Sequence, residues 1–579
     1  MKIVVVGGVA AGMSAAARLR RLNENAEIIV FEKDQYVSFA NCGLPYHIGG
    51  DIPNRESLLI VTPERLEQQL NIVVRTCHEV LKIDRGQRVV HVLDRQGEKT
   101  FQESWDKLIL AQGATPLRPH LPGIDHPRIF TLRNIPDMDA IKREVDGGAQ
   151  TAVVIGGGYI GVEIAEAFRH RGLDTYLIEM LGEILPPLDH EMDQALIFHM
   201  ESHGVGLALG RRAESFHDLD GQIEVRLDDG KALRGDFVVL AMGVRSESSL
   251  ARGAGLELGA RGGLKVDQHM RTSDPNIYAA GDMVEVTDTV TSEQAIIALA
   301  GPANRQGRIA ADHICGRDSA YTSTQGTSAV KVFDMTAAGT GASEKTLQRT
   351  GMPYKKIYVH HNGHASYYPG THPMHLKLLF APDDGKILGA QAVGVDGVDK
   401  RIDVIATALR AGMTVFDLED LELAYAPPYG SAKDPVNMAG FVASNLLRGD
   451  IDHWYAEDYP DRTSDGRLID VRSRREYEEW HIESAVNLPI TELRQRLDEL
   501  DTSDAAYVYC KSGFRGYLAY RILKQRGFSK VQNLSGGLQT FHLHHRICVG
   551  CPEIDIPFIT YAEDREGSTI GDWPSSRRR

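Results

Sequence analysis

A chain of 579 residues with 42% hydrophobic residues is too long for one hydrophobic core, and about 150 residues per domain implies three to five units. Its 64 basic against 79 acidic residues leave a net charge of −15, which argues against a nucleic-acid or anionic-membrane surface as the main partner. No run approaches the roughly 18 apolar residues of a membrane span, residues 1–2 lead directly into an apolar strand, and six cysteines are too sparse for a disulfide framework, so a cytoplasmic protein is expected.

Residues 2–32 read as strand (3–6), glycine turn (Gly7-Gly8-Val9-Ala10-Ala11-Gly12), helix (13–22) and strand (28–31), ending on Glu32. Such a turn brings backbone amides and a helix N-terminus up to a pyrophosphate, while the acid accepts from a ribose hydroxyl. Val9 departs from strict G-x-G-x-x-G spacing. A small-residue turn follows, Ser38-Phe39-Ala40-Asn41-Cys42-Gly43-Leu44-Pro45-Tyr46. Backbone N–H donors near a helix start favour a thiolate, which makes Cys42 a candidate reactive centre; a buried packing thiol is the plain alternative. The strand–turn–helix unit recurs at 152–179, where Gly156-Gly157-Gly158-Tyr159-Ile160-Gly161 meets the motif in full and Glu179 ends the returning strand. An acid there repels a 2′-phosphate, so NADH is expected over NADPH.

Three further turn-bearing strands carry Ala111 and Gly113 (108–116), Gly243 (238–245) and Gly281-Asp282 (276–282). In this order residues 1–448 resemble the flavin disulfide reductases. The resemblance implies FAD at the first site, NAD at the second and Gly281-Asp282 closing on the flavin ribityl chain. The cofactor-contacting positions are then Gly7, Gly8, Ala11, Gly12, Glu32, Ala111, Gly113, Gly156, Gly158, Gly161, Glu179, Gly243, Gly281 and Asp282. It also implies an FAD-binding domain in two parts (1–150 and 271–325), an NAD-binding domain (151–270) and a dimerisation domain (326–448), hence a homodimer.

Residues 449–466, rich in Asp and Tyr, read as a linker. From 467 to 545 a second module runs through Leu468-Ile469-Asp470-Val471-Arg472 to a short strand and Cys510-Lys511-Ser512-Gly513-Phe514-Arg515-Gly516, then a helix. A cysteine at such a turn, with inward amides and Arg515 nearby, can hold a thiolate or persulfide anion. The module resembles a single rhodanese domain, and its six-residue loop matches sulfurtransferases. The expected fold class is therefore α/β, with two Rossmann-like dinucleotide-binding domains, an α+β dimerisation domain and a C-terminal α/β rhodanese domain. Residues 546–579 read as a C-terminal extension; His542, His544, His545, Cys548 and Cys551 form a Cys/His-rich stretch around it, read as incidental or redox-active ahead of a zinc site, and no metal is assigned.

Many flavin disulfide reductases carry a C-x4-C pair, but His47 stands five residues after Cys42. Cys42 must then form a mixed disulfide with a small thiol or a sulfenic acid. Residues 38–46, with Ala424-Tyr425-Ala426-Pro427-Pro428-Tyr429-Gly430 and Lys433, resemble coenzyme A disulfide reductases. This resemblance implies that Cys42 pairs with coenzyme A, possibly held tightly, and that Ser14, Arg18, Arg21, Ser38, Asn41 and Lys433 contact it. It places Tyr367 and Tyr425 by the active cysteine, Tyr425 reaching across the dimer, with Tyr368 an equal choice in sequence. The rhodanese fusion shifts the expected substrate to persulfide or polysulfide, reduced by NADH through FAD with release of hydrogen sulfide, Cys510 handling sulfane sulfur. The alternatives are a coenzyme A disulfide reductase proper, an NADH oxidase or peroxidase, and a sulfur-carrier or redox-sensing protein.

Overall fold

The computed structural model describes residues 1–546. They form two compact units, residues 1–182 with 204–326, and residues 183–203 with 327–546. The first unit contains one design twice. A five-stranded sheet runs in the order Ile277–Ala279, Lys107–Leu110, Lys2–Val6, Glu27–Phe31, Val73–Arg75, every pair parallel. A second runs Val205–Leu209, Asp174–Glu179, Thr151–Ile155, Phe237–Leu240, Ile129–Thr131, again all parallel. Each is accompanied by a three-stranded antiparallel meander, at His78–Asp84 to Lys99–Ser104 and at Ala213–Leu219 to Ala232–Gly235. Strands such as Ile3–Val6 and 152–155 are apolar throughout because a parallel sheet covered on both faces buries every side chain.

Helix Ala10–Leu22 lies tight against Ala300–Ile314. Small residues permit the approach: a Cβ on Gly307 would fall 2.2 Å from the Ala11 carbonyl oxygen. Arg20, buried despite its charge, donates to the carbonyls of Leu70, Asn23, Glu24, Ala26 and Asn71 and so clamps the helix end.

The second unit holds two sheets. One is antiparallel, in the order Ser328–Val332, Met335–Gly341, Ile387–Gly394, Pro373–Phe380, Lys355–Asn362. The other is parallel, His453–Trp454, Val531–Leu534, Ala505–Tyr509, Gly466–Asp470, Val486–Asn487. Residues 449–466, expected to be a linker, are instead structural: His453 and Trp454 supply the edge strand of this sheet, and Trp454 is fully buried with its indole donating to the Val508 carbonyl. Their apolar content was hidden among Asp and Tyr. Helix His190–Ser202 belongs to this unit as well. It is fixed there by fully buried Lys377, whose ammonium sits 2.9 Å from Asp189, 2.6 Å from Glu191 and 2.6 Å from Glu344.

The architecture is α/β, as expected from the repeated strand–turn–helix pattern. Among the described residues no helix is long and apolar enough to cross a membrane. His544 packs edge-on to His190 and His545 takes the Ala456 carbonyl, while Cys548 and Cys551 lie outside the described residues.

Candidate functional site

Both glycine turns are built so that backbone alone fits. Gly7 and Gly156 take φ of 105° and 111°, and a Cβ on them would lie 2.2 Å from the Ala111 oxygen and 2.3 Å from the Ala241 oxygen. A Cβ on Gly12 or Gly161 would meet the carbonyl oxygen of Gly7 or Gly156 at 1.9 and 1.8 Å. Glu32 accepts the Gly8 amide at 2.8 Å and the Asp34 amide at 2.9 Å; Glu179 accepts those of Gly157 at 2.6 Å and Leu181 at 2.8 Å. Each acid thus pins its loop at the strand end. Burial pushes the Glu32 carboxyl up. Gly158 faces open space, with nothing within 4 Å of a Cβ, and the Gln112 Oε1 beside Ala111 is buried with no partner. Both features fit a dinucleotide pyrophosphate and its polar groups. Gly113 and Gly243 hold left-handed turns at φ 68° and 97°. Gly281, at φ 87°, donates its amide to Gln306 Oε1 at 2.7 Å, and its would-be Cβ meets Ala11 Cβ at 3.3 Å; burial raises the Asp282 carboxyl next to it.

The Cys42 turn is strapped to the first cradle. Ser38, at a strained φ of 48°, donates its amide to the Gly8 oxygen at 2.9 Å, and its carbonyl accepts the Ile60 amide at 3.1 Å. Cys42 follows in the single turn Asn41–Gly43, exposed and 3.9 Å from Asn41 Oδ1. Although Cys42 is exposed as a residue, partial desolvation pushes its thiol up, and the carboxylates of Glu163 and Asp282 add to the rise. His47 is buried with Nδ1 at 2.6 Å from the Ile52 carbonyl, a turn-closing role where a second cysteine could have stood.

Cys510 is the reverse case, 1% exposed at the end of strand Ala505–Tyr509. The carbonyls of Cys510 and Lys511 accept the amides of Leu538 and Gln539 at 2.9 and 3.0 Å, and Gly513 O accepts Asn533 Nδ2 at 3.2 Å. Among the described residues, the amides of residues 511–516 donate to no carbonyl or side chain. Carbonyls tied outward and amides left over make an anion-holding cup at the start of helix Phe514–Gln525. Arg515 does not point its charge solely at this cup: Nη1 and Nη2 each lie 2.7 Å from the Glu476 carboxylate, and Arg515 pulls the Glu476 carboxyl down to about 2. Lys511 is the exposed cation next to Cys510.

Tyr367 and Tyr425 are brought together, both exposed, their hydroxyls 2.9 Å apart; Lys433 is exposed in the same unit. Ser14, Arg18 and Arg21 share one face of their helix. Ser14 bonds Asn304 at 2.5 Å, Arg18 is paired with Asp312 at 2.6 Å, and Arg21 is exposed. Sequence reasoning missed Glu163, whose carboxyl burial raises to about 7 with the Tyr46 hydroxyl at 3.2 Å. The signal was present, since Glu163 stands two residues after the last glycine of the second motif.

Residues 1–307 match the family described as pyridine nucleotide-disulphide oxidoreductase, residues 327–435 its dimerisation domain and residues 455–544 a rhodanese-like domain. A coenzyme A disulfide reductase of Staphylococcus epidermidis is 38% identical over 445 residues, 76% of this chain and 99% of the relative. The crystal structure of reduced Bacillus anthracis CoADR-RHD is 48% identical, with a TM-score of 0.92 over 95% of this chain and 99% of that one. An NAD-dependent persulfide reductase from A. fulgidus is 37% identical, with a TM-score of 0.88 over 93% of this chain and all of that one. The family implies FAD and NAD(P)H, which the two cradles fit. With paired glycine cradles, a lone cysteine strapped to the first and a cysteine cup in the last domain, the chain belongs to the pyridine nucleotide-disulphide oxidoreductases and carries a C-terminal rhodanese-like domain.

Proposed function

We propose that this protein reduces persulfides with NADH, coenzyme A persulfide above all and polysulfide through Cys510, in the cytoplasm as a homodimer. The observation that supports it most is the presence of two unlike thiol sites, a solitary Cys42 with His47 in place of a partner and a buried Cys510 in an amide cup. Held by Gly7–Gly12 with Glu32 and by Gly156–Gly161 with Glu179, FAD and NADH would supply an electron pair and a proton. Cys42 Sγ attacks the inner sulfur of the persulfide, forms the Cys42–coenzyme A disulfide and expels hydrosulfide. The electron pair then breaks that S–S bond, restoring the Cys42 thiolate and freeing coenzyme A thiolate; one further proton balances coenzyme A and hydrogen sulfide. Arg21, Arg18 and Ser14 line one helix face suited to the coenzyme's phosphates, with Ser38, Asn41 and Lys433 as further contacts. The paired phenols of Tyr367 and Tyr425 can donate to a leaving thiolate.

The name of the staphylococcal relative supports a second reading, coenzyme A disulfide reduction at the same Cys42. Steady-state NADH oxidation with coenzyme A persulfide and with coenzyme A disulfide separates them. A higher kcat/KM for the persulfide is expected; a strong preference for the disulfide overturns the first reading.

A further inference from the structure

Strand Lys355–Asn362 of the antiparallel sheet touches the element that frames the Cys510 loop. His360 Nε2 lies 2.7 Å from Thr540 Oγ1, and His360 Nδ1 lies 2.6 Å from Nδ1 of His375, its register partner on Pro373–Phe380. Thr540 is 2% exposed in helix Gly537–His544. The first turn of that helix donates the Leu538 and Gln539 amides to the carbonyls of Cys510 and Lys511.

The packing along this line leaves no slack. Gly536 and Gly537 both take positive φ, 71° and 62°. A Cβ on Gly536 would sit 2.8 Å from His360 Nε2 and 2.8 Å from Tyr358 Cβ; one on Gly537 would sit 2.4 Å from the Cys510 oxygen and 2.7 Å from the Gly513 nitrogen. Two left-handed glycines are therefore wedged between the His360 ring on one side and the cysteine loop on the other. Burial among protein atoms pushes both imidazoles down, His375 to about 4, so at neutral pH the pair is uncharged and one Nδ1–H donates to the other Nδ1.

We propose that His360 is a positioning residue for Cys510: through Thr540 and the Gly536-Gly537 wedge, a side chain of the dimerisation domain sets the geometry of the sulfur-accepting cup. The physical route is the outward pull on the two loop carbonyls. When helix Gly537–His544 is held, its amides fix those two carbonyls and leave the amides of residues 511–516 free to donate to an anion, the condition under which a thiolate or persulfide on Cys510 would be favoured. The inference rests on the reading of Cys510 as a sulfur acceptor.

The test uses full-length, FAD-loaded protein, with iodoacetamide labelling of each cysteine followed by peptide mass analysis across pH. His360→Leu keeps bulk without the hydrogen bond; it should move the Cys510 labelling profile upward by about half a pH unit or more and lower persulfide formation on Cys510 from polysulfide. The Cys42 profile should stay in place. His360→Gln, which can still bond Thr540, should restore most of the Cys510 profile, a rescue that a purely space-filling role does not give. Thr540→Val removes the same bond from the other end and should reproduce the shift, which keeps the test open if His360→Leu folds poorly. Unshifted Cys510 profiles in both His360→Leu and Thr540→Val overturn the positioning role. Wild-type Cys510 that takes no sulfur from polysulfide refutes the acceptor reading instead, and the labelling profiles tell the two failures apart.

Discussion

Glu179 Oε2 accepts the amide of Gly157 at 2.6 Å, so the acid that would meet a ribose also closes the loop that would hold the pyrophosphate. One carboxylate thus couples cofactor choice to cradle shape. NADH is expected to be preferred over NADPH, because a 2′-phosphate would approach this carboxylate. Glu179→Arg should shift the ratio of kcat/KM values towards NADPH by about tenfold or more. It should also lower efficiency with either nucleotide, since the amides of Gly157 and Leu181 lose their acceptor. A wild-type preference for NADPH counts against the assignment.

Cys42→Ser should cut persulfide and disulfide reduction by about 10³-fold or more, while anaerobic NADH still bleaches the bound flavin. Hydride delivery needs no thiol, so rapid-scan absorbance separates the two half-reactions. Turnover near wild type removes Cys42 from the mechanism.

Burial holds the Glu163 carboxyl near 7, and its charge raises the Cys42 thiol. Below that pH Glu163 is protonated and exerts no such effect; above it the carboxylate opposes the thiolate. Glu163→Gln should therefore speed Cys42 alkylation above pH 7 and leave it unchanged well below. From the ordinary 4.5 to about 7 the folded chain holds a proton that the unfolded chain releases, so this group's contribution falls as pH rises through that window. Glu163→Gln should flatten the loss, measured as the urea midpoint against pH.

Lys377 is fully buried among Asp189, Glu191 and Glu344. Lys377→Met strands three carboxylates and should cost about 3–5 kcal/mol of stability in denaturant titration. The lysine holds the Glu191 carboxyl down to about 2 against strong desolvation. The stability this carboxylate contributes is complete above its unfolded pKa of 4.5 and is lost as pH falls from there towards 2. A variant as stable as wild type at pH 7 would show that packing, not charge pairing, holds helix His190–Ser202.

The parts legible in the sequence were those fixed locally. Gly7, Gly12, Gly156 and Gly161 announce their turns because no side chain fits there, and Glu32 and Glu179 stand at the strand ends that follow. Ser14, Arg18 and Arg21 followed from the family resemblance; the structure sets them on one helix face and turns Arg20 inward. Long-range partners left no such mark. Nothing near Arg515 in sequence reveals Glu476, thirty-nine residues away, and nothing in the Asp- and Tyr-rich stretch reveals that Trp454 enters a sheet. The upward push on Cys42 was likewise invisible, because the partial burial of its thiol and the approach of Glu163 and Asp282 arise only through the fold.

Cys510→Ser gives the sharpest test of the fused domain. Cys510 is buried at the base of a loop whose six following amides have no acceptor among the described residues, an arrangement that stabilises a bound anion or persulfide. Arg515 is committed to Glu476, so the exposed cation next to Cys510 is Lys511. On the proposed reading, a bulky or anionic donor such as polysulfide or thiosulfate would be served by the cup, whereas a small persulfide would react with exposed Cys42 directly. The expected outcome is loss of NADH oxidation with polysulfide or thiosulfate and near wild-type rates with small persulfides. Lys511→Ala should raise KM for thiosulfate while leaving kcat for small persulfides in place, because it removes charge from the mouth and not from Cys42. Equal retention of activity by Cys510→Ser with every donor would take the rhodanese-like domain off the catalytic route.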